Sequence, residues 1–161
     1  NTLIVMNMQR KGVVPVTSAD IRDTEAFIKL AVKLIWDSVD NGCGCAFATN
    51  GGNVGGTASG FIKTAEQCEG TLRMLAQLSD SCSFDFGSFL NALNYGSFTD
   101  VIILTPYIDN EMTAFVNELK GNDIEAVFYT TGNIPENADG QILHARKFSY
   151  TFNTEYGEGT T

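Results

Sequence analysis

The residues best placed to do chemistry in this chain follow its first apolar run. Leu3-Ile4-Val5-Met6 reads as a buried strand, and Asn7-Met8-Gln9-Arg10-Lys11-Gly12 is the polar turn that leaves it. In open α/β sheets the working site lies at the carboxyl ends of the strands, so function is sought first in this turn. It holds amides and cations but no carboxylate, Ser or Thr. That set argues against metal chemistry and phosphoryl transfer and for a binding role.

Elsewhere the reactive side chains are sparse. Of the cysteines Cys43, Cys45, Cys68 and Cys82, only Cys43 and Cys45 are close in sequence. On a strand their spacing would place both on one face, giving half of a zinc site, with the sole histidine, His144, far along the chain. Three readings stand: buried reduced thiols, which suit a reducing compartment, a metal or redox role, and a disulfide. The glycine-rich run from Asn50 to Gly60 lacks both the Lys and the following helix of a phosphate-binding loop, and reads as a hairpin-like connection. The first turn lacks the acidic residues of a phospho-acceptor domain and the G-x-G-x-x-G of a dinucleotide binder. Catalysis is therefore not expected, nor is a cofactor. A metal-dependent or nucleotide-binding α/β enzyme or signalling domain is the alternative.

Composition narrows the partners. The 161 residues carry 19 Asp and Glu against 10 Lys and Arg, a formal charge of −9, which repels a phosphate backbone and argues against nucleic acid. With 43% hydrophobic residues the chain can bury one core without disulfides. A single domain over 1–152 with a disordered tail over 153–161 is expected. No run is apolar enough for a membrane span, and no charged-then-apolar leader is present, so this segment is not expected to be membrane-embedded. Without an initiator Met, it reads as a piece of a longer protein.

Positioning these residues falls to alternating strands and helices. Thr17-Ser18-Ala19-Asp20 is rich in helix caps, and Ile21, Ile28, Ala31, Val32, Ile35 and Val39 recur at helical spacing up to Gly42. Cys43–Thr49 reads as the second strand and Phe61-Ile62 as a short one. Thr64–Ser79 reads as a helix with Cys68, Leu72, Leu75 and Leu78 inward. A shorter helix starts near Asp85 with Ser83 as cap, and its aromatic face is core. Val101–Thr105 is a continuous apolar run of the kind covered on both faces in parallel sheets. A helix over Asp109–Lys120 and a strand over Ile124–Tyr129 follow, then one more strand or a docked tail within Ile142–Phe152. The alternation predicts a three-layer α/β fold with a mostly parallel, doubly wound sheet.

The order of these elements, with "IKLAVKLIWDSVDNGCGCAFATNGG", "GTLRMLAQLSD", "SFDFGSFLNAL" and "TDVIILTPYI", resembles a von Willebrand factor A-like (Rossmann-type) domain, and within that group the bacterial "domain of unknown function 58" family. The resemblance touches most of residues 1 to 130. It implies a cation site built from Asp-x-Ser-x-Ser after the first strand, a Thr from a second loop and an Asp after the fourth strand. Here the first motif falls on Asn7, Gln9 and Lys11, the second loop near Ser83, and the later Asp position on Pro106. Both carboxylates are missing, so the resemblance implies a degenerate metal site, with Asp85 or Asp109 as offset replacements. It further implies a partner-binding rim at Asn7, Gln9, Lys11, Ser83 and Thr105. The implied context is the cytoplasmic domain of a membrane-anchored bacterial protein acting with a MoxR-type AAA+ ATPase.

Overall fold

The computed structural model describes residues 1–12, 15–136 and 144–148. Its strands are β1 (Thr2–Met6), β2 (Cys45–Thr49), β3 (Thr57–Ala58), β4 (Asp100–Thr105), β5 (Glu125–Thr130) and β6 (His144–Lys147); its helices are α1 (Ile21–Asp40), α2 (Ala65–Ala76), α3 (Phe86–Ala92) and α4 (Asn110–Gly121). The sheet runs β3-β2-β1-β4-β5-β6. Every pairing is parallel except β2 with β3. This is the three-layer, mostly parallel α/β fold that the alternation predicts.

Strand alternation splits the core in two. Leu3 and Val5 join Ala46, Ala48, Val101 and Ile103 on one face, beneath Phe86, Phe89 and Leu90 of α3 and Met112, Phe115 and Leu119 of α4. Ile4 and Met6 join Cys45, Phe47 and Leu104 on the other, beneath Phe27, Ala31 and Ile35 of α1 and Cys68 and Leu75 of α2. Both faces of β1 are thus covered, which is why its sequence is a continuous apolar run rather than an alternating one.

The helices begin where their caps dictate. Asp20 accepts the Arg22 N–H at 2.8 Å, Thr64 and Gln67 form a reciprocal capping box, and Asp109 accepts the Met112 N–H at 2.9 Å. For α3 the cap is Asp85, which accepts the Ser88 N–H at 2.9 Å; Ser83, expected in that role, lies two residues too early and is exposed. The short strand after the glycine-rich turn is also earlier than Phe61-Ile62. Thr57 and Ala58 pair with Thr49 and Ala48, while Ile62 forms only an isolated bridge to Cys45. The last strand expected within Ile142–Phe152 is present as β6, parallel to β5; the rest of that stretch, apart from Phe148, and the tail over 153–161 lie outside the described residues.

The cysteines do not share a face. Cys43 precedes β2 and is exposed, whereas Cys45, Cys68 and Cys82 are buried, and all four are free. Burial pushes the thiols of Cys45, Cys68 and Cys82 up from their ordinary value. Their neutral forms therefore favour the fold fully below the unfolded thiol pKa, and this contribution is lost as pH rises from there through the raised folded values. In native protein, a thiol-reactive chromophore should label one cysteine rapidly and the other three at least ~100-fold more slowly, since they react only on opening. Cys43→Ser should abolish the fast phase; two or more fast thiols in the parent would contradict this burial.

Candidate functional site

The parallel register brings the carboxyl ends of three strands level, with Met6 of β1 beside Thr49 of β2 and Leu104 of β4. The next residues are polar: Asn7 after β1, Asn50 after β2 and Thr105 closing β4, at 1%, 0% and 0% exposure. Polar groups buried this deeply must satisfy one another. The Asn7 amide donates from Nδ2 to Thr105 Oγ1 at 3.0 Å. Its Oδ1 accepts the Gln9 N–H at 2.8 Å and the Asn50 Nδ2 at 3.4 Å. Asn50 in turn accepts the Met8 N–H on Oδ1 at 2.8 Å and donates Nδ2 to the Phe84 carbonyl at 3.0 Å. Two amides and a hydroxyl thus clasp the three loops together.

Gln9 extends the clasp, because its Oε1 accepts the Phe86 N–H at 2.8 Å at the start of α3. Thr105 donates its hydroxyl to the Tyr107 carbonyl at 2.6 Å, shaping the exit from β4. Thr49 and Thr130 close their strands in a related way, their hydroxyls accepting the N–H of Gly51 and Gly132 at 3.2 and 3.1 Å. Each is a threonine turn that reverses the chain just past the sheet. Among the described residues no buried side-chain nitrogen or oxygen lacks a partner.

This accounting explains why amides occupy these positions. Asn50 must donate to a carbonyl and accept from an N–H at once, which a carboxylate cannot do. It also bears on a cation. A hard dication takes six or more oxygen ligands, with carboxylates leading. The side chains at the strand ends are neutral, and the oxygens of Asn7, Asn50 and Gln9 already accept N–H donors. Asp85 and Asp109, the offset candidates, each give one carboxylate oxygen to capping α3 and α4. The buried side chains of the clasp itself do not fit such an ion.

Of the five sequence-predicted rim residues, the fold brings Asn7, Gln9 and Thr105 into one buried network, while Lys11 and Ser83 are exposed. The second loop reaches the network through its backbone at Phe84 and Phe86 rather than through Ser83. Lys11 sits with its Nζ 6.0 Å from the centroid of the Tyr107 ring. Beside it opens a cleft of about 360 Å³ between the β1 turn, the start of α1 and the loops after β4 and β5, lined by Arg10, Lys11, Asp20, Tyr107 and Asn133 among others. Hydrogen bonding to Arg22 lowers the Asp20 carboxyl below its ordinary value, and burial raises the Tyr107 phenol. Sequence reasoning missed Asn50, which it took for the start of a loop. The available signal was its position immediately after a buried strand, matching that of Asn7.

No family model matches the sequence. No curated protein is significantly similar to it either. Solved structures are similar at the level of the fold. The VWA domain of SpRpn10 shares 15% identity at a TM-score of 0.57, over 89% of this chain and 85% of that one. Proximal thread matrix protein 1 from the mussel byssus shares 11% at a TM-score of 0.57, over 83% of this chain and 38% of that one. An aerotolerance-related membrane protein from Bacteroides fragilis shares 14% at 0.52, over 80% of this chain and 66% of that one. The chain therefore spans well under half of the mussel protein and just under two thirds of the Bacteroides one. These likenesses establish a von Willebrand factor A-like fold.

Proposed function

We propose that this chain is a non-catalytic protein-interaction domain whose strand-end site is a degenerate metal site, working without a divalent cation. The observation that carries the reading is the neutral clasp of Asn7, Asn50 and Thr105, which ties the loops together by hydrogen bonds with no charged side chain among them. Its buried polar side chains are consumed in holding those loops, so none is left free to accept or deliver a proton in a reaction. What remains for a partner is the surface above: Lys11, Ser83 and the cleft beside Tyr107. Asn7, Gln9 and Thr105 contribute by fixing the height and shape of that surface.

The narrower resemblance to the "domain of unknown function 58" family suggests a bacterial protein, a MoxR-type AAA+ ATPase as partner and a cytoplasmic domain on a membrane-anchored chain. The likeness to an aerotolerance-related membrane protein is in keeping with that context. No helix among the described residues is long and apolar enough to cross a membrane.

Charge reversal tests the rim. Lys11→Glu should weaken capture of a MoxR-type ATPase about tenfold or more, because reversing a rim charge changes both steering and the bound contact. Lys33→Glu, on the exposed face of α1 away from both strand ends, should leave capture within about twofold. Equal losses from the two variants would remove the strand-end rim as the docking surface.

A further inference from the structure

A second cleft lies away from the strand-end site. It encloses about 470 Å³ at the opposite end of the sheet, between the α3–β4 connection and the end of α4. Tyr95, Phe98 and Phe115 supply aromatic walls, and Glu118 and Asp123 supply carboxylates. The walls are held in place. Tyr95 donates its hydroxyl to the Leu90 carbonyl at 2.6 Å, and its ring centroid lies 5.1 Å from that of Phe115. Asp123 is the one non-glycine among the described residues with positive φ, at 59°. That conformation follows the end of α4, and Asp and Asn tolerate it better than most residues.

The geometry points to a second docking surface here, one that takes an arginine-bearing segment of a partner protein. Aromatic faces attract a guanidinium through their quadrupoles, and carboxylates pair with its planar fork. Neither Glu118 nor Asp123 is engaged in an ion pair among the described residues, and both are exposed at the cleft. The volume lies within the range of small-ligand sites and fits one long side chain with part of its backbone. The chain's charge of −9 adds a long-range attraction for a basic segment. This surface differs from the strand-end rim, where Arg10 and Lys11 lie beside Asp20 and Asp23. A partner could therefore engage both ends of the sheet without competition between them.

Amide NMR titration with a blocked Arg-Phe-Arg peptide tests this. The expected result is saturable shifts confined to residues such as Leu93, Tyr95, Phe98, Asp123 and Ile124. They should be absent with the neutral citrulline isostere, and the affinity should fall about tenfold or more in the Glu118→Gln, Asp123→Asn double variant. Asn is accommodated at the positive φ of position 123, and the citrulline peptide gives a control that needs no variant. Any of the following would overturn the inference: no saturable shift, equal binding of the citrulline peptide, unchanged affinity in the double variant, or shifts centred on Lys11.

Discussion

Asn50→Leu should lower the stability of the fold by about 2–5 kcal/mol, although the residue lies in a connection and leucine keeps its branching at Cγ. Asn50 satisfies two backbone groups that no other strong partner among the described residues reaches: the Met8 N–H and the Phe84 carbonyl, the latter otherwise contacted among them by the Cys82 thiol at 3.7 Å. A buried donor or acceptor left unmade costs about 1–3 kcal/mol. For a domain of this size, each kcal/mol is worth about 2–4 °C of melting temperature. Thermal denaturation should therefore show a fall on the order of 5–15 °C, against less than about 2 °C for Ser83→Ala on the exposed neighbouring loop. Asn50→Asp refines the test. Its carboxylate would face the Phe84 carbonyl and Asn7 Oδ1, so its folded-state pKa should be raised. Stability is then retained below the unfolded carboxyl pKa and lost as pH rises through the folded value. This variant should therefore lose stability relative to the parent between acid and neutral pH. A pH-independent difference would mean that the Asn50 amide does not need to donate.

Gly56→Ala should cost about 3 kcal/mol or more, for a reason in the backbone. Gly56 has φ of +91°, and a Cβ there would lie 2.5 Å from the Thr49 carbonyl oxygen and 2.6 Å from the Phe89 ring. Positive φ costs an L-residue about 1–2 kcal/mol on its own. The oxygen cannot retreat without pulling Thr49 out of its register with Met6 and Thr57, which would disturb the strand end from which Asn50 projects. Gly55 has φ of +85° but open space around its Cβ position. Gly55→Ala should therefore lose only the conformational part, about 1–2 kcal/mol. Urea unfolding of the two variants separates the terms, and equal losses would show that the contact with Thr49 does not constrain the turn.

Much of this architecture is visible in one dimension because local physics decides it. The periodicity of Ile28, Ala31 and Ile35 finds α1, although Ile21, expected on the same face, is exposed at the helix start, and the run Val101–Thr105 finds a strand covered on both faces, since both signals arise within a few residues. Errors enter where a choice depends on a distant neighbour. Ser83 and Asp85 are both good caps by type, and only the path of the chain past Gln9, whose side chain bonds the Phe86 N–H, decides where α3 starts. The face occupied by Cys43 depends on where pairing with Thr2 begins, and it begins at Cys45. The candidate site was half legible. Asn7, Gln9 and Thr105 stand at strand ends in the sequence, but their joining through Asn50 depends on the parallel register of three strands separated by about forty to fifty residues each.

The central claim is that hydrogen bonds, not an ion, hold the strand-end site. The most direct measurement is the melting temperature of the unaltered chain after chelation and again in millimolar Mg²⁺ or Mn²⁺. A ligand of the folded state stabilises it by RT ln(1 + [L]/Kd), so the account predicts agreement within about 1 °C across the three conditions. A rise of several degrees with either cation, reversed by chelation, would contradict it and place Asp85 or Asp109 among the ligands of a working metal site.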